Sequence, residues 1–182
     1  MTKAKLFDKI FIMRRIYPYL ILTLIVLISS LVLWGSVGLL TIYKQYDGPL
    51  YIVPAKTFYK PLEIERLGLE INLSNEYFAA HLPLYPALIR TVRELIQLTD
   101  SRVNGLGYLK SMVLVNLLST IGLVLFFYYL LKKFKLTNNP LILASVLLFL
   151  PRFLVVRTAG APESLFILLI LSSLFLVPDT VG

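Results

Sequence analysis

Long apolar runs alternate with polar segments along this chain, and their lengths predict an all-α integral membrane protein. The first run extends from Ile16 to Ile42, and the second extends over 108–131. Each is at least as long as the roughly 20 residues that a helix needs to cross a bilayer. Two shorter runs occupy 139–157 and 162–178, and Pro151 interrupts the former. We therefore predict about four transmembrane helices, of which the first is a retained signal anchor.

The polar segment 43–107 separates the first two predicted spans and contains one amphipathic helix, over 84–98. Polar side chains recur there at helical spacing, at Arg90, Arg93, Glu94 and Gln97. The opposite face is apolar and is formed by Leu88, Val92, Leu95 and Ile96. This pattern is typical of a helix that lies in the membrane interface rather than crossing the bilayer.

The composition supports the membrane assignment, and it changes which partner the positive net charge predicts. Hydrophobic residues make up 58% of the 182 residues, and the formal net charge is +8. The first basic cluster immediately precedes the first apolar run and consists of Lys3, Lys5, Lys9, Arg14 and Arg15. Cations at that position hold a helix end at an anionic cytoplasmic leaflet. The expected partner is therefore the lipid bilayer, and nucleic acid is not expected.

The same charge pattern predicts a topology for a multi-pass protein of a prokaryotic plasma membrane or an endoplasmic reticulum membrane. We place the N-terminus in the cytoplasm, the long loop 43–107 outside and the basic cluster 132–135 inside. The turn 157–163 then lies outside, on the same membrane face as Asp47 and His81. Polar features that are distant in sequence are thereby gathered on one face.

Two residues of the long loop are candidates for chemistry. Asp47 precedes Gly48 and Pro49, which is ordinary turn composition, but a carboxylate at a membrane face can also act as a general base. The residue pattern favours the two interpretations equally. His81, the single histidine, either bonds a backbone carbonyl or contacts a phosphate or hydroxyl group, and the structural role is the safer expectation.

Three charged residues near the last two apolar runs are further candidates. Arg152 and Arg157 are costly near hydrocarbon, and two arginines could hold the phosphate of a lipid carrier. Snorkelling to the interface explains them equally well. Glu163 follows Pro162 at a predicted helix start, where a carboxylate suits the positive end of the helix dipole.

Several chemistries find no support in the sequence. The chain has no cysteine, which excludes disulfides and thiolate nucleophiles. It contains no phosphate-binding glycine loop, no zinc-protease histidine pair and no Asp-x-Asp motif. No cofactor is indicated, and the sequence does not fix a metal requirement.

The order of these pieces resembles the PIG-V-like mannosyltransferases, membrane enzymes of the GT-C superfamily. Three motifs carry the resemblance. The first is the pair Tyr46-Asp47 just after the first span. The second is Leu82-Pro83-Leu84-Tyr85-Pro86, preceded by His81, and the third is Ala161-Pro162-Glu163-Ser164-Leu165-Phe166. The resemblance implies a partial GT-C-like fold.

The resemblance also implies a reaction, the inverting transfer of mannose or a similar sugar from a polyprenyl-phosphate-linked donor at the extracytoplasmic face. Asp47 would be the catalytic base. Arg152 or Arg157 would contact the donor phosphate, while His81, Tyr85 and Glu163 would bind substrate in the acceptor pocket.

The chain departs from the family pattern in two ways. Tyr46 replaces the more usual tryptophan, and the chain corresponds only to the N-terminal portion of the much longer family enzymes. We therefore expect either the N-terminal part of such an enzyme, as a fragment or split gene product, or an activity that needs a second membrane polypeptide to complete the fold. A reduced, inactive relative is a further alternative. The alternative is a non-catalytic membrane subunit or a small transporter component.

Overall fold

The computed structural model describes residues 3–42, 46–69, 74–99 and 107–177, and within these ranges the chain is helical without a strand. The predicted all-α class is thus confirmed for the described residues. The helices are α1 (Lys3–Leu33), α2 (Leu39–Ile42), α3 (Gly48–Thr57), α4 (Pro61–Arg66), α5 (Leu84–Thr99), α6 (Gly107–Lys133), α7 (Pro140–Leu148), α8 (Pro151–Ala159) and α9 (Glu163–Leu176). A π-helical turn, Trp34–Gly38, joins α1 to α2, and a 3₁₀ helix, Asn75–Ala80, precedes α5.

Two helices are long and apolar enough to cross a membrane. They are Ile16–Ile42, which continues through the π-helical turn, and Gly107–Lys133, and each has 27 residues. They pack antiparallel, because Tyr19 near the start of one contacts Tyr128 near the end of the other at 5.1 Å between ring centroids. Leu22 and Leu123 are fully buried in the same core. Their length and composition indicate a membrane protein.

The remaining apolar helices are shorter or broken. α7 and α8 are bent by 65° relative to each other, and the pair forms one broken span or a re-entrant loop. Pro151 sits in the first turn of α8, where its missing N–H costs nothing. α9 has only 14 residues, below the roughly 17 that a span requires. The structure thus supports two spans, or three if the bent pair is one, and the predicted four are not confirmed.

α9 runs alongside the second half of α6. Its first turn is tied to α6 by a 2.8 Å hydrogen bond between the hydroxyls of Ser164 and Thr120. Its last turn packs Phe175 edge-on against Phe126, with ring centroids 5.7 Å apart. Thr120 lies about 20 Å along α6 from Gly107. The turn between α8 and α9 therefore lies opposite the middle of α6 and not at its end.

The predicted amphipathic helix corresponds to α5. Tyr85 and Ile89 are buried against α6, while Glu94 is exposed. The helix runs back along the first turns of α6, because the Arg93 guanidinium lies 4.9 Å from the Tyr108 ring centre. Its position in the membrane interface stays a prediction. Within the predicted loop 43–107, positions 43–45, 70–73 and 100–106 lie outside the described residues, as does position 178 of the predicted fourth span.

Candidate functional site

A cavity of about 440 Å³ opens where the start of α3, the start of α5, α8 and the turn before α9 meet. Four of the six predicted site residues line it, namely Asp47, Tyr85, Arg152 and Glu163. The remaining wall is mostly apolar or aromatic and is formed by Tyr46, Tyr51, Ala80, Leu82, Leu84, Ala161, Pro162, Leu165, Phe166 and Leu169. Residues more than a hundred positions apart in sequence therefore share one cavity.

Asp47 precedes the first turn of α3, where Pro49 fixes the helix start. Its backbone carbonyl accepts hydrogen bonds from the N–H groups of Leu50 and Tyr51, at 2.9 and 3.3 Å. Its side chain makes no capping hydrogen bond, although Asp47 occupies the capping position. The exposed carboxylate is thus left available to the cavity.

The residue before Asp47 has a strained backbone. Tyr46 has a φ of 58°, in the left-handed region that a bulky side chain rarely adopts. Strain of this kind costs of order 1–3 kcal/mol and persists where the surrounding structure imposes it, often at functional sites. Here it sits at the point where Tyr46 and Asp47 both reach the cavity.

Tyr51 follows Asp47 by one helical turn and so reaches the same cavity. Its ring stands edge-on to His81 at 4.7 Å and to Tyr85 at 5.2 Å between centroids. Burial raises the pKa of the Tyr51 phenol, and the negative charges of Asp47 and Glu163 raise it further. Tyr51 therefore remains a neutral hydroxyl at physiological pH, able to donate a hydrogen bond into the cavity.

Tyr85 connects α5 to the turn before α9. Its hydroxyl donates a 2.6 Å hydrogen bond to the Gly160 carbonyl. Burial raises the pKa of Tyr85 strongly, and the charge of Glu163 adds to the shift. The protonated hydroxyl is already engaged, so Tyr85 fixes the turn with its oxygen and presents only its ring to the cavity.

Side chains from two further helices cap the carbonyls at the end of α8. The Asn116 amide of α6 donates to the carbonyls of Arg157 at 2.8 Å and Val156 at 3.3 Å. The indole N–H of Trp34 donates to the Thr158 carbonyl at 3.1 Å. A helix end leaves such carbonyls without intrahelical partners, and burying them unpaired is costly. These bonds hold the turn in place beneath the cavity.

Gly160 permits this turn. It has a φ of 83°, and a Cβ atom there would lie only 2.5 Å from the Met112 methyl group. Glycine is the residue that adopts this backbone without steric cost, and it also lets α6 approach closely. The small residue in this position therefore has a structural cause.

Glu163 is the first residue of α9, and its carboxylate lines the cavity. Its Oε2 atom is buried and has no hydrogen-bond partner among the described residues. The helix N-terminus stabilises the negative charge, but a buried acceptor without a donor is unfavourable and calls for a specific explanation. A ligand hydroxyl in the cavity would supply the missing donor.

Arg152 is the one predicted arginine that lines the cavity. It is exposed, in the first turn of α8, and forms no salt bridge with any residue in the described ranges. The cavity thus combines a free guanidinium with two carboxylates, Asp47 and Glu163. Arginine is well suited to bind a phosphate because its planar N–H groups match phosphate oxygens.

The structure does not bring Arg157 to this cavity. Its side chain is buried, with 2% exposure, and donates to the hydroxyls of Ser29 at 2.8 Å and Ser30 at 3.1 Å. It also donates to the Leu148 carbonyl at 3.1 Å. Five residues of α-helix rotate a side chain by about 140°, so Arg157 faces α1 when Arg152 faces the cavity. Arg157 joins α1, α7 and α8.

His81 lies behind the cavity wall. Its ring is buried against Tyr51 and Tyr77, and its backbone carbonyl accepts a hydrogen bond from the Tyr59 hydroxyl. Its Nδ1 atom is buried and has no hydrogen-bond partner in the part of the chain that the structure describes. His81 is therefore placed to orient Tyr51 rather than to touch a ligand in the cavity.

A second, apolar groove of about 460 Å³ lies between the end of the first span and α8. Its walls are Leu33, Val37, Thr41, Ile42, Leu154, Val155 and Thr158, together with Tyr46. Tyr46 also lines the polar cavity, so the two spaces adjoin. The cavity that contains the charged residues and the apolar groove therefore share one wall.

Some of these residues escaped sequence reasoning. Tyr51 has a visible signal, its one-turn spacing from Asp47. Trp34 and Asn116 have no such signal. Each lies in an apolar run, and the carbonyls to which they donate, at 156–158, are distant in sequence. No cluster of three or more potential metal ligands occurs in the part of the chain that the structure describes.

Comparison of this chain with protein-family models, curated proteins and solved structures found no match.

Proposed function

We propose that this chain is a membrane glycosyltransferase, or the catalytic part of one, that moves mannose or a similar sugar from a polyprenyl-phosphate-linked donor to an acceptor hydroxyl. One observation carries the proposal. Asp47, Arg152 and Glu163, chosen from sequence as base, phosphate ligand and acceptor ligand, line a single cavity.

The neighbourhood of the cavity suits an amphiphilic donor. The charged residues of the cavity would hold the sugar and phosphate, and the adjoining apolar groove would take the first part of the lipid chain past Tyr46. Apolar and aromatic walls with a few placed polar groups are typical of small-molecule sites. The volume of about 440 Å³ is in the range of such sites.

The proposed step uses the two carboxylates and the arginine separately. Asp47 takes the proton of the acceptor hydroxyl as its oxygen attacks the anomeric carbon. The bond from that carbon to the phosphate oxygen breaks, and the phosphate leaves with the electron pair. Arg152 stabilises the leaving phosphate, because its guanidinium is free and matches phosphate geometry. Glu163 accepts a hydrogen bond from another acceptor hydroxyl.

Substrate position would depend on the neutral tyrosines. Tyr51 stays protonated because burial raises its pKa, and the charges of Asp47 and Glu163 raise it further. It would donate a hydrogen bond to a sugar oxygen, with His81 packed behind its ring.

The test is a sugar-transfer assay in membranes that contain this chain, with radiolabelled polyprenyl-phosphate mannose and, in parallel, the glucose analogue. We expect label in an acceptor fraction above that of matched membranes without the chain. Arg152→Gln should raise the KM for the donor. The control is Lys132→Gln, which removes an exposed cation at the C-terminal end of α6, far from the cavity, and should leave the KM unchanged. No transfer with either donor would overturn the proposal.

A further inference from the structure

Three cationic side chains gather over two aromatic rings on the outer surface of α3, α5 and the start of α6. The Lys56 ammonium lies 5.6 Å, and the Arg93 guanidinium 4.9 Å, from the Tyr108 ring centre. The Arg90 guanidinium lies 5.4 Å from the Phe58 ring centre. We call these five residues the basic-aromatic patch.

Part of the positive charge of the patch has no salt-bridge partner among the described residues. Arg90 forms a 2.9 Å salt bridge with Glu94. Lys56 and Arg93 form none with any residue in the described ranges. The aromatic rings orient both cations, but a ring quadrupole offsets only part of a full charge. Two unpaired cations therefore face outward around one ring.

The position of the basic-aromatic patch in the fold indicates which kind of molecule contacts it. Tyr108 is the second residue of the span Gly107–Lys133, so the patch lies at the end of a candidate membrane helix. Aromatic rings and cations at the end of a membrane helix are typical of a surface at the level of the lipid headgroups.

We propose that the basic-aromatic patch binds the phosphate of an anionic phospholipid headgroup. Lys56 and Arg93 would contact the phosphate, and the Tyr108 ring would hold them in place. The charge complementarity selects an anionic over a zwitterionic lipid. This inference concerns a surface separate from the cavity and does not depend on the proposed function.

The test measures lipid binding to the full chain purified in a non-ionic detergent. Native mass spectrometry counts bound 1-palmitoyl-2-oleoyl phosphatidylglycerol and the matching phosphatidylcholine at equal concentrations. We expect preferential binding of phosphatidylglycerol, reduced about 5- to 30-fold in Lys56→Gln/Arg93→Gln, since each cation near an anionic surface contributes about fivefold. Circular dichroism and a monodisperse elution profile confirm that the variant is folded.

Two controls make the result specific. Arg66→Gln/Lys132→Gln removes the same charge from exposed sites outside the patch and should keep the preference. Tyr108→Leu keeps both cations but removes their ring, and should reduce the preference less. The proposal would be overturned if the off-patch variant lost the preference for phosphatidylglycerol equally, or if the unsubstituted chain showed no such preference. Displacement of the lipid by millimolar inorganic phosphate would also overturn it.

Discussion

The two halves of α6 have different kinds of neighbour. Positions 121–133 pack through apolar and aromatic contacts such as those of Tyr128 with Tyr19 and Phe126 with Phe175. In the described ranges, no side-chain hydrogen bond connects this half to another helix. Around 107–120, by contrast, Asn116 and Thr120 bond to α8 and α9.

Buried polar atoms without partners, which lower the stability of the folded chain, lie on the side of the hydrogen-bonded half of α6. Among the described residues, the buried side-chain atoms without partners are His81 Nδ1, Asn116 Oδ1 and Glu163 Oε2. All three belong to residues at or behind the cavity or capping its turn. An apolar half needs only packing to be stable, whereas unpaired buried polar atoms are expected where a ligand binds.

The sharpest test of this contrast uses the two arginines of α8. Arg157→Leu removes three hydrogen bonds from a charged group and should lower the free energy of unfolding by about 2–4 kcal/mol. Arg152→Leu should leave the Tm in detergent unchanged, because Arg152 is exposed and has no salt bridge among the described residues. A larger Tm loss for Arg152→Leu than for Arg157→Leu would contradict the assignment of their roles.

The second test compares two glycines. Gly160→Ala places a Cβ atom 2.5 Å from Met112 in a left-handed residue, and should destabilise by about 1–3 kcal/mol. Gly122→Ala lies within α6, where its Cβ would meet Leu168 at 3.1 Å. Helix propensity favours alanine there by up to about 1 kcal/mol, which offsets the crowding. Equal Tm changes for the two variants would mean that the turn is not constrained as described.

The third and smallest effect comes from two buried tyrosines. Tyr85→Phe removes the hydrogen bond to the Gly160 carbonyl and should cost about 1–2 kcal/mol. Tyr128→Phe should cost almost nothing, because the Tyr128 hydroxyl donates to no other described residue. Thermal unfolding in the same detergent measures both, and a greater cost for Tyr128→Phe would reverse the comparison between the halves.

Sequence reasoning was most successful where a pattern is local. Hydrophobic runs long enough to span predicted the two candidate membrane helices, and the period of polar residues predicted α5. The bend between α7 and α8 follows from Pro151, which cannot continue the preceding helix's hydrogen bonds. Hydrophobicity alone could not show that α9 ends at 14 residues beside half of α6.

For the candidate site, sequence reasoning selected the two carboxylates and Arg152, which line one cavity, but could not separate Arg152 from Arg157. Both arginines lie in a short apolar run, and only the helical rotation and the serines of α1 assign them different environments. The family resemblance assigned His81 to the acceptor pocket, whereas tertiary packing places its ring behind Tyr51. Contacts across more than a hundred positions leave no local signal.

Substitution of Asp47 tests the central claim most directly. In the membrane transfer assay, Asp47→Asn should give normal protein yield and a rate lower by about 10²–10⁴-fold, because the amide cannot accept the acceptor's proton. Glu76→Gln, an exposed carboxylate that does not line the cavity, should retain full activity. A well-expressed Asp47→Asn protein with full activity would contradict the account, as would low yield with near-normal specific activity, the behaviour of a purely structural aspartate.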